Sequence, residues 1–503
     1  VTWWPDFDLP RLRLGEVALL LLAPIGLLCF GILTYDPDFQ RWWVLALIAV
    51  IGSLMLPGKL NVPNSVLWAA GFLLYAALSL LWSPDPGEGG DDLICLTIAF
   101  VLFTAGQQVN LDPYIQRVVP FAVLIGCGLL WYLPQRFGGF GNDTFVAEFL
   151  LIGLTFCLKG KARFVAVIAI VTLIFCVESN DRRLVALLAI GYGLVWLWRH
   201  GYRYAAFFLP LAGLNIVFLA GLAEPNVIFS SVMARAEIHV NTALMIMERP
   251  FFGWGAGSFE YVYPRFQEAH MKLFPGMPTI MSGATIFVNT AHNEYLQVLA
   301  EFGFAGWVFV GGFLWSIRRN IRWTTVSVVA VLALVGFPLQ NPSTAALALL
   351  AITKGQGRSL SFPMKLPVLA VSIGLLWLTT LSLIAESYMT ATRVALGTDP
   401  LGALSANIKA YETWPYARGP RVQMMLTTTS LLRNTPHILQ PDSADNIYRI
   451  AATAGPDNPG ILLARLEYLI NARRNQDEAN RILHSLYQNT PRQLRIALGH
   501  MEK

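Results

Sequence analysis

The chain is 503 residues long, 55% hydrophobic and only 13% charged, with a mean hydropathy of +0.53. Its apolar residues fall in blocks too long and too frequent for a soluble core, which excludes an ordinary globular enzyme and points to an all-α, polytopic membrane protein. The formal charge of +5 is small for this length, so the placement of the charges matters more than their sum.

The opening stretch "VTWWPDFDLPRLRLG" runs straight into "EVALLLLAPIGLLCFGILT" (16–34) with no small-residue cleavage site, so the first span is predicted to act as its own insertion signal. Blocks at 66–82 and 366–385 also approach the roughly 20 residues that a spanning helix needs, and their lack of period-2 polar alternation argues against a barrel. About 12–13 spans are predicted, near 17–33, 42–56, 66–82, 93–108, 118–133, 144–158, 164–178, 184–198, 204–222, 303–317, 323–338, 343–353 and 366–385. The five cysteines lie inside or at the ends of these blocks, without metal-ligand spacing, and read as packing residues.

Basic residues recur in alternate loops: Lys159, Lys161 and Arg163; Arg199 and Arg203; Arg318, Arg319 and Arg322; Lys354, Arg358 and Lys365. The positive-inside rule makes these loops cytoplasmic, and Arg11 and Arg13 place the N-terminus with them. The acidic loop "SPDPGEGGDD" (83–92), the turn "ESNDRRL" (178–184), the long segment 223–302 and everything after 385 then share the outer face. A loop of this length exceeds ordinary connections by several-fold, and its Phe, Trp, Tyr and Met content argues against disorder.

The predicted organisation is a transmembrane domain over 1–385, carrying the external loop 223–302, followed by a soluble helical tail over 386–503. Within the tail, Leu462, Leu466, Leu469 and Ile470 fall on one helix face, a turn follows at Asn475–Asp477, and Ala479, Ile482, Leu483 and Leu486 fall on the next face. This reads as a helical hairpin resembling a tetratricopeptide unit.

Two stretches carry candidate chemistry. In "SVMARAEIHVNTALMIMERPFFGWGAGSFEYVYPRF" (231–266), Arg235 opens a helical pattern ended by Pro250. The run Gly253, Gly255, Gly257 follows, where a chain without side-chain bulk bends sharply or approaches a ligand closely. A Gly-x-Gly-x-Gly run is not by itself a nucleotide fingerprint. In "VNTAHNEYLQVLAEFGFAGW" (288–307), His292 and Asn293 begin an amphipathic helix that leads into apolar sequence. Arg249, His239, His270 and Arg265 are further loop candidates. Taken alone, Arg182 and Arg183 fit either snorkelling cations at a membrane interface or site arginines, and His292 fits either a helix cap or a catalytic imidazole.

The order Arg-x14-Pro-x2-Gly-x-Gly-x-Gly-x-Phe (Arg235, Pro250, Gly253, Gly255, Gly257, Phe259), then His-Asn-x2-Leu-x4-Glu-x-Gly-x2-Gly (His292, Asn293, Leu296, Glu301, Gly303, Gly306), resembles the O-antigen ligase superfamily. That superfamily includes O-antigen polymerases and bacterial O-linked oligosaccharyltransferases. "LLWSPDP" (80–86) is similar to a stretch common in it, and the resemblance covers roughly residues 66–340. Two departures stand out: His239 occupies a position often held by tryptophan, and "SNDRRL" replaces the usual Ser-Arg-small sequence, so Arg182 and Arg183 both remain counterparts of the family arginine.

The resemblance implies transfer of a glycan from a polyprenyl (undecaprenyl) diphosphate to a hydroxyl acceptor, such as lipid A core, a growing glycan or a protein, at the outer face of a bacterial inner membrane. It also implies catalytic roles for His292 and Arg235 and substrate-binding roles for Arg182, Arg183, Asn293 and Glu301, with Arg249 a substrate-binding candidate from its place in the loop. Arginines suit a diphosphate leaving group because they are planar, permanently charged donors. Histidine suits a hydroxyl acceptor near neutral pH. No metal, cofactor or nucleic-acid partner is implied; membrane lipids are. From spans alone, a lipid-linked glycan transporter is the competing class, and it predicts ionisable residues within paired spans; Glu148 is the clear one.

Overall fold

The computed structural model describes residues 37–108, 112–132, 143–157, 163–175, 225–267, 269, 288–319, 321–334, 336–352, 360–434, 439–454, 459–471 and 475–489. Apart from two three-residue strands, the regular structure is helical. In chain order the first elements are α1 (Pro37–Leu54), β1 (Leu60–Val62), α2 (Asn64–Ser79), α3 (Pro86–Gly106), α4 (Asp112–Tyr132), α5 (Asp143–Cys157), α6 (Arg163–Phe175) and α7 (Pro225–Glu248). Then follow α8 (Phe259–Val262), α9 (Glu294–Ile317), α10 (Trp323–Leu332), α11 (Pro342–Leu350), β2 (Leu360–Phe362) and α12 (Lys365–Ala395). The tail holds α13 (Pro400–Thr413), α14 (Arg418–Asn434), α15 (Pro441–Ala452), α16 (Pro459–Asn471) and α17 (Gln476–Asn489).

Among the described residues α3, α9 and α12 are long and apolar enough to cross a membrane, and α1, α2, α4, α5, α6 and α10 contain shorter apolar stretches. The spans expected near 17–33, 184–198 and 204–222 lie outside the described residues. The stretch expected to span at 343–353 is the nine-residue α11, begun by Asn341, whose Oδ1 accepts from the N–H groups of Ser343 and Thr344 at 3.1 and 3.4 Å.

The acidic stretch 86–92, expected as loop, forms the first turns of α3. Asp85 caps that helix by accepting from Glu88 N at 3.3 Å, and Pro86 occupies the first helical position, where its fixed φ is already helical.

Two of the buried clusters join several helices each. One holds Val44, Ile48, Ile98, Val101 and Leu375, contributed by α1, α3 and α12. The other buries Val123, Leu150, Leu154, Ala169, Leu332 and Leu347, from α4, α5, α6, α10 and α11. Buried hydroxyl pairs tie neighbours together, Ser53 to Ser372 at 2.8 Å and Thr155 to Thr325 at 2.7 Å.

β1 pairs antiparallel with β2, and Ile321 bridges Ile352. Together these gather Lys59, Arg318, Arg319, Arg322 and Lys365 at one end. The opposite end brings Asp85, Asp91 and Glu260 against the tail. Arg421 pairs with Asp85 at 3.3 Å and Arg418 with Glu260 at 3.1 Å, while Trp414 Nε1 donates to Asp91 at 2.9 Å. Of the segments expected to share one face, the stretch 83–92, the segment 223–302 and the tail are in direct contact, and the turn 178–184 lies outside the described residues.

The expected boundary between the transmembrane domain and the tail, at 385, falls inside α12. α12 continues unbroken to Ala395 and packs along α13, where Thr392 Oγ1 donates to Asn407 Oδ1 at 3.0 Å and Asn407 Nδ2 donates to Thr427 Oγ1 at 2.9 Å. Further along, Leu466, Leu469, Ala479, Ile482 and Leu486 share a core with Tyr448 and Met425, as the hairpin pattern predicts. Ile470 and Leu483 are exposed instead. Each adjoins a buried residue in sequence, so the roughly 100° between consecutive residues carries it off the buried stripe.

Candidate functional site

α7 and α9 lie side by side and run in the same direction, and the predicted residues are distributed along the pair. Arg235 sits within α7 rather than at its start, because the helix begins ten positions earlier, at Pro225. One turn on, on the same face, His239 hydrogen-bonds the main chain of His292 and feels the Arg235 charge. Arg235, His239 and His292 therefore form one cluster, at the point where α9 begins.

The approach to α9 is tightly held. His292 has φ 49°, a left-handed conformation that costs a non-glycine residue on the order of 1–3 kcal/mol unless its surroundings impose it. Asn293 is the N-cap: its Oδ1 accepts from Leu296 N at 3.1 Å and its Nδ2 donates to Leu334 O at 3.0 Å. Its reading as a substrate-binding residue therefore has a structural role beside it.

Glu294, which helical position alone marks only as a first-turn acid, makes distant contacts that the spacing does not reveal. Its N–H donates to Ala333 O at 2.9 Å, and its carboxylate accepts from Leu339 N at 2.6 Å and from Gln340 N. This fixes the turn that carries Phe337, whose ring packs against His292 with centroids 5.6 Å apart. Glu148 lies at the same turn, beside Gly336. Among the described residues no group of three or more His, Cys, Asp or Glu side chains is arranged to hold a metal.

Arg249 and Glu301 belong to a second cluster. Arg249 lies 14 residues beyond Arg235, about 20 Å along the helix direction, and stacks over Trp254 at 4.0 Å. Glu301 is nine residues beyond His292, about 13 Å away by the same rise, and is buried. Its carboxylate accepts from the main-chain N–H groups of Gly257 and Phe259 and from Gln297 Nε2 at 3.4 Å.

The cause is a break in α9. At Gly303 the backbone turns to φ 60°, ψ −164°, freeing helical donors and acceptors that an apolar helix has no water to satisfy. The loop 250–255 takes them. Trp254 N donates to Ala300 O at 2.9 Å and Gly255 N to Glu301 O at 2.8 Å, while Phe304 N and Ala305 N donate to Pro250 O and Phe251 O at 2.9 and 3.0 Å. Tyr75 Oη adds a donor to Phe302 O at 2.9 Å. The glycine run is thus spaced for protein backbone: a Cβ on Gly253 collides with Glu301, on Gly255 with Ser79 and Ser83, and on Gly257 with Gly89 of α3. Sequence reasoning offered a sharp bend or a close approach to a ligand; what these glycines approach here is the protein itself.

Arg182, Arg183 and His270 lie outside the described residues. Arg265 is exposed on the turn after α8.

Burial lowers the pKa of His239, the hydrogen bond to His292 opposes this, and the Arg235 charge lowers it again. The unfolded chain takes up a proton near the ordinary histidine value of about 6.5, whereas the folded chain takes it up only at lower pH. The unfolded state therefore binds more protons as pH falls through this window, and stability is lost. Thermal unfolding of the purified chain should show a midpoint falling from about pH 6.5 downward, with a shallower fall in His239→Asn. An equal fall in both proteins contradicts this assignment.

Chemically, the first cluster pairs a permanent cation with an imidazole on a fixed main chain, whereas the second holds the helix that carries it. No family model matches the chain, and no curated protein matches it.

Proposed function

We propose that the chain is a polytopic membrane glycosyltransferase of the O-antigen ligase type, moving a glycan from a polyprenyl diphosphate to a hydroxyl acceptor such as lipid A core. The observation that carries this reading is the convergence of Arg235 and His292, through His239, at the head of a membrane-length helix. In the proposed reaction the acceptor oxygen attacks the sugar C1 and its proton passes to His292. The C1–O bond to the diphosphate breaks with its electron pair leaving on the diphosphate, and Arg235 balances the charge that develops there.

The contacts among α3, the loop 250–260 and the tail, together with the basic residues gathered at the opposite end, support one orientation. In it the active-site loop and tail face the periplasm, and the N-terminus and basic loops face the cytoplasm of a bacterial inner membrane. A protein side chain or a growing polysaccharide is the alternative acceptor. The tail favours it, because helices docked on Asp85 and Glu260 enlarge the surface available to a macromolecule at that end.

The test is purified chain incubated with labelled polyprenyl-diphosphate glycan and each acceptor class in turn. Label should move to one class, and label that stays on the lipid with every class refutes the reading. A reporter fused after Lys503 should be active only in a form that works outside the cytoplasm.

Because Arg235 is assigned the diphosphate charge, transfer should persist in excess EDTA. Loss of turnover with EDTA and its recovery with Mg²⁺ contradict that assignment and turn attention to Asp85, Asp91 and Glu294.

A further inference from the structure

His239 stands where the family that this sequence resembles often has tryptophan, and its surroundings give it a specific task. Its hydrogen bond to the main chain of His292 favours the protonated ring, which identifies a ring N–H donating to the His292 carbonyl. Nε2 is buried without a hydrogen-bond partner in the structure, so the donor is Nδ1. The residue receiving this bond has a left-handed backbone, whereas α9 begins two residues later with ordinary helical geometry. Asn293 fixes the main chain on the helical side of that transition, through Leu296 and Leu334. On the other side the contact comes from α7, one turn beyond Arg235.

We propose that His239 is a positioning residue of the transfer site, fixing the main chain of His292 through its Nδ1–H so that the His292 ring stays registered with Arg235. This inference rests on the transfer reading above. It couples the two catalytic residues mechanically: the helix that carries the diphosphate arginine also holds the backbone of the acceptor-side histidine. Any shift of α7 then moves both together.

Two variants of the full-length protein test it. Asparagine at 239 can present an N–H near the position of Nδ1, and leucine cannot. Amide hydrogen exchange across 288–297 and transfer kinetics are measured on both, with a peptide from α14 as the folding reference. His239→Leu should exchange faster at 292–294 with the reference peptide unchanged. It should lose about 10–100-fold in kcat, the scale of an ångström-level misplacement, while KM for donor and acceptor holds. His239→Asn should restore most of both properties.

Unchanged exchange at 292–294 in His239→Leu overturns the proposal. So does a His239→Asn protein as slow as the leucine variant with a raised KM, since the ring would then be binding substrate through Nε2. A wild-type chain that transfers nothing refutes the functional reading alone, because the exchange contrast still decides whether His239 holds His292.

Discussion

His292→Ala should transfer roughly 10²–10⁴-fold more slowly than the wild-type chain, the usual scale for losing a general base, while still binding the lipid-linked donor. Arg235→Ala should fail differently. Removing a charge-assisted contact to the diphosphate costs on the order of 1.5–3 kcal/mol, equivalent to roughly 10–150-fold in donor affinity, and more in the transition state, where leaving-group charge peaks. Arg235→Lys should recover only part of this, because an ammonium cannot reproduce the planar fork. Donor binding and single-turnover transfer, measured on all three proteins, separate these effects. Donor affinity lost in His292→Ala and kept in Arg235→Ala means that the roles are exchanged. Wild-type rates in His292→Ala reduce the residue to part of a helix entry.

Gly303→Ala should lower the yield of folded protein far more than any other single-methyl addition to α9. The backbone there lies in a region that only glycine occupies comfortably, which costs about 1–3 kcal/mol for a side chain. The new Cβ would also stand 2.5 Å from the carbonyl carbon of Phe251 and 2.7 Å from the nitrogen of Gly253, an overpacking penalty of typically 1–3 kcal/mol more. Gly311→Ala is the matched control: it lies in the same helix with nothing within 4 Å of the added methyl, and should gain roughly 0.5–1 kcal/mol from helix propensity. Thermal unfolding of both variants in detergent decides the point. Equal midpoints would mean that the break in α9 is not held by the loop 250–255.

Much of this was legible in the sequence because it follows from local chemistry. Apolar blocks predicted helices, and the Asn293 position marked the start of α9. The tail hairpin was readable from its heptad-like spacing to within one residue of the buried stripe. What escaped depends on distant partners. Glu294 anchors a turn more than forty residues away, and Glu301 closes on amides of a loop that precedes it by a similar distance; no periodicity encodes either contact. The glycine run was conspicuous, yet only the break in α9 explains its spacing, since each glycine answers a different backbone. The start of α3 was hidden differently: Asp85-Pro86 is a helix-start signal, but the acids after it resemble a loop once composition is weighted above capping.

The unbroken passage of α12 into the tail gives the molecule a fixed angular phase. Each residue added to a helix turns everything beyond it by about 100° and advances it by about 1.5 Å. One residue inserted near the exposed Val394 would therefore swing Arg418 and Arg421 away from Glu260 and Asp85, although every other side chain remained intact. Four inserted residues would bring the tail back to within about 40° of its bearing but leave it about 6 Å too far out. Length and rotation cannot both be restored by any insertion of that size, so the tail is clocked to the bundle like a key cut for one depth and one orientation.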